Sequence, residues 1–231
     1  MNNSSGNMIF TSRGLNESDG RIIFKKAFDQ MKIHIDDSSS IVVICYVTDD
    51  EIPGYKNALV NGCVFLGFNP EKITLSQDTT NDCLKQKISE ADFIYVTEGN
   101  VYRLLKYLID RELIESIRKS VLERSVMYLG ASAGAAVAGT DIKMIEFADY
   151  DKDTRYMSDD EKNALNYFQT NQTFESIHLF DGFIIPHYDE EENVKNLVNA
   201  YEDERGELGD EYKYRLRVGN NDFLILDSKN M

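Results

Sequence analysis

A chain of 231 residues with 42% hydrophobic and 28% charged side chains has an ordinary globular composition and is long enough to bury a substantial core. Its formal net charge of −15 argues against nucleic acid or an anionic membrane as a partner, because both attract basic surfaces. No run of about 18 apolar residues is present, so no transmembrane helix is predicted.

Short apolar runs alternate with amphipathic segments along the chain. Strands are predicted in 7–12, 41–47 and 72–77, at the starts of 91–100, 126–132 and 182–204, and in 212–218 and 222–227. Helices are predicted in 18–34 behind a Ser/Asp cap, in about 54–66, in 101–125 as one helix or two, from 133 onward, and in the rest of 182–204. The sequence GNND suggests a hairpin between the last two strands.

Repeated strand–helix units predict an α/β fold, a three-layer α/β/α sandwich around a mostly parallel central sheet. One domain over 1–231 is expected, since no internal repeat, low-complexity tract or linker is found. The polar stretch Asp149–Thr173 is the expected surface excursion. Ligands of such sheets bind beyond the carboxyl ends of the strands. The turns TEGN, GASAG and PHYD should therefore meet at one edge of the sheet.

The segment YLGASAGAAVAG (128–139) holds one serine, Ser132, among glycines and alanines. The pattern G-x-S-x-G, between a predicted strand and a predicted helix, is typical of a nucleophile on a tight strand-to-helix turn. Small neighbours are needed there because bulk would collide with the strand and the helix. The N–H of the next residue, Ala133, can face a developing oxyanion. A turn where a helix packs closely on a sheet would show the same small residues, so both readings stay open.

A serine nucleophile needs a base, and the chain has three histidines, His34, His178 and His187. His34 ends an amphipathic helix, and His178 precedes a strand by several residues. His187 follows GFIIP at the carboxyl end of a strand, where the fold argument requires the base. A neutral imidazole at this place can accept the serine proton near neutral pH.

The acid that orients this base is ambiguous in the sequence. Asp149 lies between Ser132 and His187 in the chain and is the favoured candidate. Asp222 and the neighbouring Asn220 and Asn221 precede the last strand and are the alternatives. An asparagine can also hold an imidazole, as it does in papain-like enzymes.

Three segments, YVTEGNVYRLLKYL, YLGASAGAAVAG and DGFIIPHYDEEEN, together resemble the peptidase E and cyanophycinase group of serine peptidases. The resemblance implies a class I glutamine amidotransferase-like fold with serine in place of the amidotransferase cysteine. It implies that Ser132 is the nucleophile and His187 the base. It also implies that the N–H groups of Gly99 and Ala133 form the oxyanion hole.

Two positions depart from that family. Its usual GGN turn reads Glu98-Gly99-Asn100 here, which brings a carboxylate to the mouth of the site. Glu98 or Asn100 is expected to bind the amine of a substrate, and a Glu98 side chain that only faces solvent is the alternative. Near the last strands, where family members can carry a carboxylate, this chain has Asn220 and Asn221.

These features predict a dipeptidase-like serine hydrolase that cleaves a small peptide or amide. Lys195 is the only basic residue in the segment that follows His187, so a substrate that begins with Asp is not required. A catalytically inactive binding protein on a peptidase fold is the first alternative. An α/β-hydrolase esterase is the second, although no His-Gly-Gly motif is present. A glutaminase is disfavoured because the turn holds no cysteine.

The three cysteines, Cys45, Cys63 and Cys83, have no metal-ligand spacing, and the first residues lack the features of a signal peptide. We therefore expect a cytoplasmic protein with reduced thiols and with no metal or organic cofactor. A small peptide is the expected partner, with neither nucleic acid nor a membrane. The oligomeric state is open, and a homodimer is among the arrangements that the sequence allows.

Overall fold

The computed structural model describes residues 7–143, 157–188 and 214–227. Their strands are β1 (Asn7–Thr11), β2 (Ile41–Ile44), β3 (Ile73–Leu75), β4 (Phe93–Val96), β5 (Met127–Ala131), β6 (Gly182–Ile185), β7 (Tyr214–Arg217) and β8 (Phe223–Asp227). Their helices are α1 (Ser18–Met31), α2 (Tyr55–Leu66), α3 (Asn81–Glu90), α4 (Val101–Asp110), α5 (Ile114–Arg124), α6 (Ala133–Ala136) and α7 (Asp159–Asn171).

Six of these strands form the central sheet in the order β3-β2-β4-β5-β1-β8. The first five are parallel, and β8 runs antiparallel to β1 with Ile9 opposite Ile225. The carboxyl ends of β1, β4 and β5 therefore lie side by side at one edge of the sheet. The predicted mostly parallel sheet is confirmed.

Helices cover both faces of this sheet, which gives the predicted three layers. Helices α1 and α2 contact each other, and α3 and α5 contact each other. Parallel crossovers are right-handed, and the chain moves across the sheet in one direction from β1 to β2 and β3, then in the other from β3 to β4 and β5. The two pairs of helices therefore cover opposite faces. Every residue of β2, β4 and β5 is buried, as expected for strands covered on both sides. The apolar sequences of these strands follow from that burial.

The predicted hairpin between the last two strands is wrong. Strand β7 pairs in parallel with β6 in a separate two-stranded sheet, whereas β8 extends the central sheet. The backbone of Val218, which follows β7, makes hydrogen bonds to distant parts of the chain. Its N–H donates to the carbonyl of Ile185, and its carbonyl accepts from the Ser12 hydroxyl. These long-range bonds separate β7 from β8, and the GNND segment becomes the link between two sheets.

The predicted surface excursion at Asp149–Thr173 contains a helix in its second half. Residues 159–171 form α7, whose Ala164, Leu165 and Phe168 are buried. A capping box starts this helix, with Ser158 accepting from the N–H of Glu161 and the Glu161 carboxylate accepting from the N–H of Ser158. The signal in the sequence was the S-x-x-E spacing of SDDE. The predicted catalytic acid, Asp149, lies outside the described residues.

Two smaller expectations are also settled. The segment 101–125 forms two helices, α4 and α5, rather than one. The residue that caps α1 is Glu17, not the predicted Ser or Asp, and its side chain makes no capping hydrogen bond. In the described part of the chain, no helix has both the length and the apolar character needed to cross a membrane. A single domain over 1–231 stays a prediction.

Candidate active site

Ser132 occupies a strained turn between β5 and α6. Its φ of 47° and ψ of −110° are unusual for a residue with a side chain, and its N–H donates to the carbonyl of Thr11 at 2.9 Å. This is the geometry of a nucleophile elbow, which aims the side chain away from the strand. The hydroxyl is half-buried at the carboxyl edge of the central sheet.

The glycines around Ser132 are required by close backbone contacts. A Cβ on Gly134 would lie 2.1 Å from the carbonyl oxygen of Val96, and one on Gly130 would lie 2.7 Å from that of Gly134. The buried Tyr128 hydroxyl donates to the Gly134 carbonyl at 2.6 Å. The small residues therefore serve close packing, and that packing holds Ser132 in its strained turn. The close packing of the second reading is thus present, and the role of Ser132 as a nucleophile stays a prediction.

His187 reaches Ser132 from a different segment, two residues beyond the end of β6. Its Nε2 lies 2.9 Å from the Ser132 hydroxyl. Its φ of 57° is positive, and its N–H donates to the hydroxyl of Ser12 at 2.8 Å. Residues separated by 55 positions in the chain are thus within hydrogen-bond distance at the edge where the sequence predicted them to meet.

The other ring nitrogen of His187 faces an amide. Nδ1 lies 2.7 Å from Oδ1 of Asn220, whose side chain is buried. Because an amide oxygen only accepts, Nδ1 carries the proton and Nε2 is free to accept from Ser132. Asn220 was one of the alternatives named for this position. The neighbouring Asn221 and Asp222 are exposed.

The predicted oxyanion hole consists of two backbone N–H groups, those of Gly99 and Ala133. Ala133 is the first residue of α6, and Gly99 follows the carboxyl end of β4 with a φ of 130°. Neither N–H has a hydrogen-bond partner within residues 7–143, 157–188 and 214–227. The close contact of Gly134 with Val96 sets the start of α6 directly against the end of β4. That both N–H groups face an oxyanion at Ser132 stays a prediction.

Glu98 points into the protein and not to solvent. One carboxylate oxygen accepts from the Gly14 N–H at 2.8 Å, and the other accepts from the Asn16 amide at 2.5 Å. Burial raises the pKa of Glu98 above its ordinary value, and the nearby charge of Glu17 adds to this, whereas the hydrogen bond from Asn16 opposes it. The side chain ties the turn that holds Gly99 to the loop that follows β1.

Replacing Glu98 by glutamine should change how stability depends on pH. The folded-state pKa of Glu98 is raised, so the folded state binds this proton more tightly than the unfolded state does. The stability that the proton contributes is fully present below the unfolded-state pKa, and it is lost as pH rises through the folded-state pKa. The stability of Glu98→Gln, whose side chain does not titrate, should therefore rise relative to that of the wild type as pH increases through the folded-state pKa of Glu98. Urea unfolding at several pH values measures this. The exposed Glu123→Gln is the control, and a gain that shrinks with rising pH would contradict the expectation.

Asn100 caps α4. Its side-chain oxygen accepts from the N–H of Arg103 at 3.0 Å, and its own N–H donates to the Tyr46 hydroxyl at 2.5 Å. A Cβ on Gly99 would lie 2.2 Å from the same hydroxyl, so only glycine fits there. The predicted binding of a substrate amine by Glu98 or Asn100 stays a prediction, since the structure engages both side chains with the protein itself.

Sequence reasoning missed two residues near His187. Ser12 bonds to its backbone, and the Arg217 guanidinium stacks over the ring of Tyr188 at 4.6 Å from its centroid. Arg217 is thus a cation against the residue that follows His187, and the local sequence around His187 does not contain it. A serine and an arginine in strand-end positions carry no distinctive signal, so only the fold reveals them. Within the described residues, no three His, Cys, Asp or Glu side chains are grouped to hold a metal ion.

Comparison with known families and proteins gives consistent results. The sequence profile of peptidase family S51 matches residues 24–209. An uncharacterized peptidase of Listeria monocytogenes is 28% identical over 161 residues, which are 67% of this chain and 69% of that protein. A Drosophila melanogaster protein named "Probable alpha-aspartyl dipeptidase" is 39% identical over 72 residues, 31% of this chain but only 28% of that protein. An uncharacterized peptidase of Pasteurella multocida is 23% identical, over 60% of this chain and 59% of its own.

Solved structures share the fold. A crystal structure of a "Putative Peptidase E Protein" from Listeria monocytogenes superposes with a TM-score of 0.66 at 19% identity, covering 95% of this chain and 93% of that one. A peptidase from an acI-B1 actinobacterium gives a TM-score of 0.54 at 15% identity, covering 84% and 75%. The architecture is the predicted class I glutamine amidotransferase-like one.

Proposed function

The chain belongs to peptidase family S51, and from this membership we propose that it is a serine peptidase that cleaves a small peptide or amide through an acyl-enzyme on Ser132. The observation that carries the proposal is the 2.9 Å distance between the Ser132 hydroxyl and Nε2 of His187. This distance lies within the range at which a base can take the proton of a nucleophile.

In the proposed mechanism, Ser132 attacks the scissile carbonyl while Nε2 of His187 accepts its proton. Asn220 keeps the proton of His187 on Nδ1, so that Nε2 is the basic nitrogen. The protonated imidazole then donates to the leaving amine, and the acyl group stays on Ser132. Water, deprotonated by His187, releases the acid and restores the free hydroxyl.

The tetrahedral oxyanion would be stabilised by the N–H groups of Gly99 and Ala133. Each such donor contributes about 3–4 kcal/mol to the transition state in comparable sites. The contact between α6 and β4, and the Tyr46 hydroxyl that receives the next N–H at Asn100, support this role because they hold the turn in one conformation. Glu98 stabilises the same turn from its other side.

The substrate class is proposed as small peptides or amides without a requirement for an N-terminal aspartate. The net charge of −15 weakly repels acidic substrates at long range, an effect that salt screens. Arg217 is the cation that an acidic substrate could meet beside His187. A variant of Arg217 can therefore test whether substrates that begin with Asp are preferred.

A panel of Asp-Xaa, Ala-Xaa and Leu-Xaa dipeptides tests both proposals. We expect hydrolysis with kcat/KM values within about tenfold of one another, a spread worth about 1.4 kcal/mol. The Arg217→Gln variant should leave their ratio unchanged. A strong preference for Asp-Xaa that is lost in Arg217→Gln would contradict the proposed substrate range. The absence of hydrolysis across peptides and amides would instead favour a binding protein on a peptidase fold.

A further inference from the structure

Ser12 follows β1 and is almost fully buried, with 1% of its surface exposed. Its hydroxyl accepts from the N–H of His187 at 2.8 Å and donates to the carbonyl of Val218 at 2.8 Å. These partners lie 175 and 206 positions away in the chain. A hydroxyl can accept a hydrogen bond and can donate its single proton in another. By doing both, Ser12 joins the end of β1 to the segment of His187 and to the segment of Val218.

The Val218 segment also carries the partner of the base. Val218 stands two residues before Asn220, whose amide oxygen contacts Nδ1 of His187. The Val218 carbonyl additionally accepts from the N–H of Tyr188, and its N–H donates to the carbonyl of Ile185. Ser12 therefore lies at the junction of the two segments that form the His187–Asn220 pair.

The residue before Ser12 holds the nucleophile. The Thr11 carbonyl accepts from the N–H of Ser132 at 2.9 Å. Two adjacent positions at the end of β1 thus fix the backbone of Ser132 and the backbone of His187. Both of these residues have a positive φ, a conformation that persists only where the surroundings impose it.

We propose that Ser12 is a positioning residue, which sets His187 at its distance from Ser132 and holds the Asn220 segment against it. The proposal rests on the proposed function and deepens it, because it assigns to Ser12 the alignment of the proposed base. It predicts that loss of the Ser12 hydroxyl weakens the reaction more than it weakens the fold.

A second buried serine provides a matched control. Ser76, just after β3 and toward the opposite edge of the central sheet, is also fully buried. Its hydroxyl accepts from the N–H of Cys45 at 3.0 Å and donates to the Cys45 carbonyl at 3.0 Å. Alanine at either position removes one buried hydroxyl and leaves one N–H and one carbonyl without it. At Ser76 it also removes the acceptor of the Tyr107 hydroxyl, which donates to Ser76 at 3.0 Å. Ser76→Ala should therefore lose at least as much thermal stability as Ser12→Ala.

The experiment compares the wild type, Ser12→Ala, Ser12→Thr and Ser76→Ala by two measurements. The first is the rate of reaction with a fluorophosphonate, in which the Ser132 oxygen bonds to phosphorus, fluoride leaves and His187 takes the proton. The second is the ring nitrogen chemical shifts of His187, which report which nitrogen carries the proton and do not depend on turnover. With three histidines in the chain, this spectrum can be assigned by single substitutions of the other two.

We expect Ser12→Ala to react about 10- to 100-fold more slowly, the range that a misplacement of about 1 Å costs. Its His187 shifts should move from the Nδ1-protonated form toward a mixture of both forms. Ser12→Thr, which keeps the hydroxyl, should restore most of the rate and the wild-type shifts. Ser76→Ala should change neither measurement, although its melting temperature should fall at least as far as that of Ser12→Ala.

Equal behaviour of Ser12→Ala and Ser76→Ala in both measurements would overturn the proposal and leave Ser12 with a structural role only. A wild type that does not react with the fluorophosphonate would contradict the proposed function instead. The role of Ser12 would then be decided by the His187 shifts alone, which support it if Ser12→Ala alters them and refute it if they are unchanged.

Discussion

Replacing Ser132 by alanine is expected to lower kcat for peptide hydrolysis by about 10⁵- to 10⁶-fold, because the variant has no oxygen to form the acyl-enzyme. We assign the proposed reaction to this serine because its hydroxyl lies 2.9 Å from Nε2 of His187. Activity that remains should reflect only the proposed oxyanion donors and substrate binding, which in a comparable enzyme keep an advantage of about 10³- to 10⁴-fold over water. Steady-state kinetics on the best dipeptide of the panel measures the loss.

The fold should tolerate this change. Alanine keeps the Cβ of Ser132 and therefore keeps the same backbone strain, and the N–H bond to Thr11 does not involve the side chain. The free energy of unfolding should stay within about 0.5 kcal/mol of the wild type, as for a substitution outside the packed core. A Ser132→Ala variant that is folded and retains more than about a tenth of the wild-type kcat would contradict the proposed mechanism.

Replacing Asn220 by alanine is expected to lower kcat by about 10²- to 10⁴-fold with a smaller change in KM. The amide oxygen of Asn220 is the partner of Nδ1 of His187 at 2.7 Å, and without it the imidazole can take either protonation form and rotate. Loss of the correct form at this position costs about 10⁴-fold in a serine protease of another fold. Separate measurement of kcat and KM distinguishes this effect from impaired substrate binding.

The neighbouring Asn221 is the matched control, because it is the same residue type, adjacent in the chain and exposed. Asn221→Ala should leave kcat unchanged. Asp149→Ala tests the acid that the sequence favoured, and we expect it to cost less than Asn220→Ala. A larger loss in Asp149→Ala than in Asn220→Ala would contradict the assignment of Asn220 as the residue that orients the base.

Much of the fold could be predicted because it depends on local patterns. The buried strands β2, β4 and β5 are apolar throughout, and apolar runs of this kind predict strands covered on both faces. The pairing of the final strands was not predictable in this way. Strands β7 and β8 have the composition of a hairpin. They lie in different sheets because Val218 makes long-range hydrogen bonds with Ile185 and Ser12. Helix α7 was missed despite its capping box because its segment is mostly polar.

The residues of the candidate site also differ in whether the sequence alone predicts them. Ser132 and His187 follow strands, and the rule that ligands bind at the carboxyl ends of parallel strands brings such residues together. Asn220 and Ser12 are uncharged, common in turns, and distant in the chain from the residues that they contact. Their contribution depends on which segments meet across two sheets, and periodicity in one sequence does not contain that information. Glu98 was noticed as a departure, but its partners Gly14 and Asn16 lie 84 and 82 positions away.

Intact-protein and peptide mass spectrometry after treatment with a fluorophosphonate is the most direct measurement of whether the hydroxyl at position 132 is an activated nucleophile. We expect one adduct per wild-type chain, carried by the peptide that contains Ser132, and no adduct in Ser132→Ala. A wild-type chain that stays unmodified, or an adduct that persists in Ser132→Ala, would contradict it.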